Sequence, residues 1–112
     1  MASTYNEDPL YRLLHEGEID EFNRRRRAGE RCDLRASELS GLDLRKLDAN
    51  DMDLRDCCLH QSDLRGVDFS RANLAGCSIN GAKISGTLFP AELGAEEITL
   101  SLLHGTRMRY RR

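Results

Sequence analysis

The chain has 112 residues, 17 Lys and Arg against 19 Asp and Glu, a net charge of -2, 39% hydrophobic residues, 5% aromatics and no tryptophan. This is enough for one domain. The charge is too near neutral for whole-molecule steering toward nucleic acid or an acidic membrane. So few large aromatics argue against a conventional globular core.

Residues 1–31 read as a helical cap. Asp8 is placed to cap a helix whose first residue is Pro9, and Leu10, Leu13 and Leu14 follow at helical spacing. Gly17 interrupts the pattern. A second short helix carries Ile19 and Phe22 inward and stops at Gly29, with the run Arg24–Arg27 over its last turns, where positive charge complements the helix dipole. The stretch is faintly like one ankyrin helix pair, but a single unit is not an array.

Residues 32–91 are periodic. Every fifth residue from Leu34 is apolar: Leu34, Leu39, Leu44, Ala49, Leu54, Leu59, Leu64, Phe69, Leu74, Ile79, Ile84 and Phe89. Two positions before each of these centres lies a second series, mostly small or apolar, that includes Ser37, Leu47, Cys57, Ser62, Cys77 and Thr87. Steps of five spiral around a helix and switch faces on a strand. A chain whose fifth residues share one interior must therefore turn at every unit. Four sides of five residues close a coil of about 20, so twelve units make about three coils, each burying its apolar face on its neighbours.

The units RANLAG at 71–76, QSDLRG at 61–66 and GVDFS at 66–70 resemble the pentapeptide repeat family, whose units follow A-(D/N)-L-x-x. The resemblance covers about half the chain. It implies a β-solenoid, a right-handed quadrilateral β-helix of about three coils, with the centre and the minus-two residue inside. Leu42, Leu47 and Met52 are larger than the family's usual alanine, and Ala49 is a small centre. Residues 20 apart should stack, so Leu47 beside Ala49 offsets the bulk of Phe69 one coil on.

Residues 92–112 form the second cap, a helix and a basic tail. PAELGAEEITLSLLHG reads as a helix with Glu96 and Glu97 in its first turn, Ile98, Leu102 and Leu103 on its apolar side and Gly105 at its end. Thr106, Met108 and Tyr110 then alternate with Arg107, Arg109 and Arg111, a pattern of extended chain. The expected solenoid is thus capped by α-helices at both ends.

Candidate sites follow from the outward positions. Asp-Leu-Arg recurs at 33–35, 43–45, 53–55 and 63–65. Members of the resembled family mimic DNA and bind DNA gyrase, which needs unneutralised anions. Here each Arg sits two residues from its Asp and offsets it, and three coils span only about 14 Å. The reading is a non-enzymatic protein-protein interaction module with an unidentified protein partner and an interaction surface of Asp43, Arg45, Asp63, Arg65, Arg107, Arg109 and Tyr110. A DNA mimic directed at gyrase or another topoisomerase is the alternative. Nucleic acid is disfavoured, since the basic clusters lack a stacking platform beyond Tyr110. The tail could pair with a second copy and make a homodimer; the alternatives are docking on the N-terminal helices, or disorder. Longer members of the resembled family dimerise through their C-terminal ends.

Cys32, Cys57, Cys58 and Cys77 show no zinc spacing, and His15, His60 and His104 lie far apart. No metal, cofactor or catalytic set is expected. Cys57 and Cys77 should stack as buried thiols, with a disulfide as the alternative. Cys58, near His60, is the thiol expected to face outward and react. No apolar run reaches membrane length and no signal-peptide core is evident, so the expected location is cytoplasmic, with no membrane.

Overall fold

The computed structural model describes residues 8–111. Residues 1–7, within the first predicted segment, and Arg112, the end of the predicted tail, lie outside them.

Helix α1 spans Pro9–His15 and helix α2 spans Ile19–Arg27. Asp8 is extended, and its carboxylate accepts the Leu10 N–H at 2.8 Å, with Pro9 in the first turn as expected. Leu10, Tyr11 and Leu14 of α1 and Ile19, Phe22 and Asn23 of α2 are buried. Gly17 and Gly29, at φ 77° and 98°, end the two helices, because each stop requires a left-handed residue.

From residue 32 the chain turns at every unit. In most units the centre's carbonyl accepts the N–H three residues on, as in Cys57 N–H to Leu54 O at 3.1 Å and Val67 N–H to Leu64 O at 3.1 Å. The third residue of most of these corners has positive φ: Gly41, Gly66, Gly76, Gly81 and Gly86, but also Ala36, Asp51, Asp56 and Gln61 at 57–63°. This is the requirement of a type II turn, and it explains why glycine keeps returning at the same place in the unit.

Successive coils are joined by parallel pairing at a spacing of twenty. Bridges link Glu38 to Cys58 to Ser78, Asp43 to Asp63 to Lys83, Asp53 to Asn73, and Asp68 to Leu88. Along the ladder Leu44 N–H donates to Asp63 O at 3.0 Å and Leu64 N–H to Lys83 O at 2.9 Å. The bridges are isolated, and no continuous strand forms among the described residues. The physical reason is the corner every five residues, which leaves too short a side for one. The sides are named by their centres: the first carries Leu34, Leu54 and Leu74, the second Leu39, Leu59 and Ile79, the third Leu44, Leu64 and Ile84, and the fourth Ala49, Phe69 and Phe89.

The centres form the interior. The ten from Leu34 to Ile79 are each at most 4% exposed, whereas Ile84 and Phe89, at the end of the last coil, are only half-buried. Phe69 is fully buried between coils that place Ala49 before it and Phe89 after it, as the volume argument predicts. The minus-two residues Leu47 and Met52 are buried and Leu42 is half-buried, so the oversized positions do point inward.

Small polar residues in this inner series have a role the sequence reading missed. Cys57, Ser62, Cys77 and Thr87 each donate to a centre's carbonyl 23 residues earlier: Leu34, Leu39, Leu54 and Leu64, at 2.8, 2.6, 2.8 and 2.6 Å. Each satisfies a corner carbonyl of the coil before it. The two stacked cysteines are free thiols.

Helix α3 spans Ala95–His104, shorter than expected because the chain makes a turn from Pro90 and enters the helix at Gly94. Glu96 and Glu97 lie in its first turn, and Gly105 closes it at φ 73°. Its predicted apolar side is corrected at Leu103, which is 64% exposed. The buried residue is Ser101, whose hydroxyl accepts the Ile79 N–H at 2.9 Å. A backbone donor at the end of a coil needs an acceptor more than it needs a leucine.

Candidate functional site

The third side brings together four of the seven predicted surface residues. Asp43 accepts the Arg45 backbone N–H at 3.2 Å and both Arg45 Nε and Nη2 at 2.9 and 2.8 Å. Asp63 and Arg65 repeat this arrangement at 3.2, 2.9 and 2.7 Å. Arg45 Nε also reaches Asp63 Oδ2 across the coil at 3.5 Å. One oxygen of the short Asp side chain takes the unit's backbone N–H, and the two oxygens together hold the Arg fork flat against the side. Asp33 with Arg35 and Asp53 with Arg55 do the same on the first side, at 2.8 and 2.6 Å.

The charge state follows from this geometry. The Arg45 fork beside Asp43 holds its carboxyl down at about 2, and Arg35 does the same for Asp33. Asp53 and Asp63 are lowered by Arg55 and Arg65. Every Asp of the repeated Asp-Leu-Arg motif is thus ionised and locally neutralised. The side presents alternating charge at fixed spacing rather than an anionic strip.

Arg107, Arg109 and Tyr110 are elsewhere. The tail lies on the last coil, where Met108 is fully buried, donates to Cys77 O at 2.8 Å and accepts from Gly76 N–H at 2.7 Å. The Tyr110 hydroxyl accepts the Leu74 N–H at 2.8 Å, and burial raises its pKa. Arg109 pairs with Glu97 at 3.3 Å and Arg107 with Asp56 at 3.7 Å. The alternation was legible in the sequence, but its destination was not: the tail docks on its own chain's last coil, not on the N-terminal helices. The seven residues therefore do not form one surface.

The N-terminal arginine run is likewise engaged. Arg24 and Arg25 pair with Glu21 at 2.7 and 3.1 Å, and Arg27 pairs with Asp48 at 3.2 Å. Arg26 donates to the carbonyls of Asp48 and Asn50 at 3.0 and 3.2 Å and lies 5.9 Å from the Phe22 ring centroid. Buried Asn23 completes the joint, donating to Lys46 O at 2.9 Å and accepting the Asp48 N–H at 3.0 Å. Tyr11 donates to Glu38 O at 2.8 Å. Arg26, Arg27 and Asn23 thus stitch α2 to the first coil. The local sequence gives no sign of this, because the partners are 21–25 residues away.

The remaining candidates are inner or isolated. Cys58 is half-buried, with its sulfur 3.1 Å from the Ser40 hydroxyl. Burial and then Asp8 push the Cys32 thiol up to about 12, while the neighbouring Cys57 thiol and burial raise Cys77. Among the described residues no cluster of three His, Cys, Asp or Glu is placed to hold a metal, and no helix is long and apolar enough to cross a membrane. A cleft of about 570 Å³ lies between the end of α2 and the first side, lined by Phe22, Arg26, Cys32, Asp33, Met52 and Asp53 among others.

The coil spacing, the corner chemistry and the inward centres define a repeat protein built on five-residue units. Residues 53–89 match the family model described as Pentapeptide repeats, in 8 copies. Over those residues the chain is similar to the pentapeptide repeat family. The first coil, residues 32–52, lies outside the matched segment yet bridges to the second coil at Glu38 and Asp43. It holds the oversized Leu42, Leu47 and Met52 and the small Ala49. Comparison with curated proteins and with solved structures gave no match.

Proposed function

We propose that this protein is a cytoplasmic, non-enzymatic protein-binding module, built as the right-handed quadrilateral β-helix that its repeats imply and docking a protein partner on the third side. The observation that carries the reading is the Asp43–Arg45, Asp63–Arg65 lattice, with its cross-coil contact at 3.5 Å. The lattice fixes charged and hydrogen-bonding groups on a backbone held by ladder hydrogen bonds. Little side-chain entropy remains to be lost when a complementary surface arrives, and alternating charge selects partners by register. The same pairing bears against the DNA-mimic reading, which needs anions that are not already matched.

The test reverses the cations. Arg45→Glu with Arg65→Glu should keep the fold, by circular dichroism and thermal unfolding, because both side chains are exposed. Crosslinking of the tagged protein in lysate should then lose a species that the wild type captures. Identical captured species for both proteins would refute the third side as the docking surface.

A further inference from the structure

Among the described residues, the C-terminal end of the coil is closed on two sides only. On the first side, Leu74 N–H is taken by the Tyr110 hydroxyl at 2.8 Å and Gly76 N–H by Met108 O at 2.7 Å. On the second, Ile79 N–H meets Ser101 Oγ at 2.9 Å and Gly81 N–H meets Leu102 O at 3.1 Å. The corresponding donors on the third and fourth sides are Ile84, Gly86 and Phe89. One coil earlier, Leu64, Gly66 and Phe69 give theirs to Lys83 O, Ser85 O and Leu88 O at 2.9, 3.0 and 2.8 Å. Ile84, Gly86 and Phe89 N–H have no partner among the described residues. The carbonyls of Ala82 and Thr87, equivalent to the acceptors Ser62 and Val67 below, are also unpaired there.

Side chains mark the same edge. Ile84 and Phe89 are the two centres left half-buried, and Leu88, in an outward position that holds Asp48 and Asp68 in the earlier coils, is 56% exposed. Lys83 stands directly over Asp63 in the bridged column and has no carboxylate within 4.0 Å among the described residues, because Asp63 is held by Arg65 and Arg45. An edge with open backbone donors and acceptors in the register of a ladder is a template for one more strand.

We propose that the edge from Ala82 to Phe89 binds a peptide segment of a protein partner, turned once at the corner between the third and fourth sides and added in parallel as a partial fourth coil, with a carboxylate residue set over Lys83 and an apolar residue immediately after it. The inference rests on the protein-binding reading and supplies the chemistry of the partner. Counting from that carboxylate residue, the first peptide carbonyl accepts from Ile84, the third from Gly86 and the sixth from Phe89. The residues after the first and sixth positions cover Ile84 and Phe89. A second copy of the chain fits less well. Residues 82–89 carry one cation and no acid, so two such edges meeting about a two-fold axis bring only like charge together.

The probe is a capped synthetic nonapeptide, Ser-Asp-Leu-Arg-Gly-Val-Asp-Phe-Ser, which copies residues 62–70, a stretch that stacks in parallel on the coil before it through Asp43 and Asp63, as the added segment would stack on residues 82–89. Amide NMR follows the full chain. In the free protein, the Ile84, Gly86 and Phe89 amides should exchange about 100-fold faster than those of Leu64, Gly66 and Phe69. Added peptide should shift resonances of residues 82–90 and slow those three amides. Replacing the peptide's first Asp by Lys should weaken binding about fivefold, as should Lys83→Glu, and combining the two should restore it. Absence of shifts up to millimolar peptide, shifts confined to other sides, or failure of the charge swap would overturn the proposal. Concentration-dependent protection of the same amides without peptide would assign the edge to a second copy and overturn it equally. The peptide titration does not involve Arg45 or Arg65, so the third-side docking surface and the open edge can fail separately.

Discussion

Ser62 is the sharpest test of how the coils are held. Its side chain is fully buried, its hydroxyl donates to Leu39 O at 2.6 Å, and the same oxygen accepts the Leu42 N–H at 3.2 Å. In comparable units the centre's carbonyl takes the N–H three residues on directly, as Ala49 O takes Met52 N–H at 3.1 Å. Here the hydroxyl stands between donor and acceptor. Ser62→Ala removes one atom and orphans two backbone groups inside the molecule. An unsatisfied buried polar group costs about 1–3 kcal/mol. Partial recovery, by closing the turn in the ordinary way, brings the expected loss to about 1–2 kcal/mol. For a domain of this size that is a fall in Tm of roughly 4–10 °C. Ser62→Cys should lose less than half as much, because Cys57 and Cys77 make the same donation to Leu34 and Leu54. Thermal and urea unfolding of the three proteins, with two-state behaviour checked by two probes, gives the answer. Wild-type stability in the alanine variant, or a cysteine variant weaker than alanine, would refute the role assigned to the hydroxyl.

Phe69→Ala should cost about 3–5 kcal/mol, since the ring is fully buried and Ala49, in the same column, cannot fill the space; urea unfolding measures it, and a loss below 1 kcal/mol would place the ring outside. Asn23→Ala should cost about 2–3 kcal/mol in the same assay, because Lys46 O and Asp48 N–H both lose their partner. Asp33 and Asp43 titrate at about 2 in the folded protein, below the ordinary aspartate value of about 3.9. Their contribution is present above that ordinary value and disappears as pH falls from about 4 to about 2, so Tm should drop over that window, and less in Arg45→Gln, where Asp43 has lost its partner. Cys57 and Cys77, at 1% and 0% exposure, should react with a thiol reagent only at the rate of global unfolding, while Cys58 reacts in the native state.

The period of five carried much of the architecture, because a buried centre is a strong local requirement. Leu34 through Ile79 could be placed inside from that period alone, and Asp8, Pro9, Gly29 and Gly105 marked helix limits through chemistry confined to a few residues. The paired state of Asp43 with Arg45 was legible for the same reason. What escaped were contacts over twenty residues or more. Arg26 and Arg27 look like a solvated helix end until Asp48 and Asn50 arrive beneath them. Tyr110 looks like a recognition side chain until Leu74 N–H is found on its hydroxyl. Leu103 was placed inward by helical spacing, but α3 lies on a coil end whose needs are polar, and Ser101 met them. A β-helix was implied by the resemblance, and the coils pair through isolated bridges because the corners leave no length for a continuous strand.

The spacing of twenty between bridged residues also governs how the chain tolerates insertion and deletion. Adding or removing twenty residues within the repeat segment restores every column and only changes the height of the stack. Removing five shifts each later residue by one side. The α3 clasp and the Met108 tail would then be turned a quarter circle relative to α1 and α2, and a different pair of sides would be left open. Length changes in this protein are therefore rotations: a single unit gained or lost re-aims the open edge without altering one residue of it.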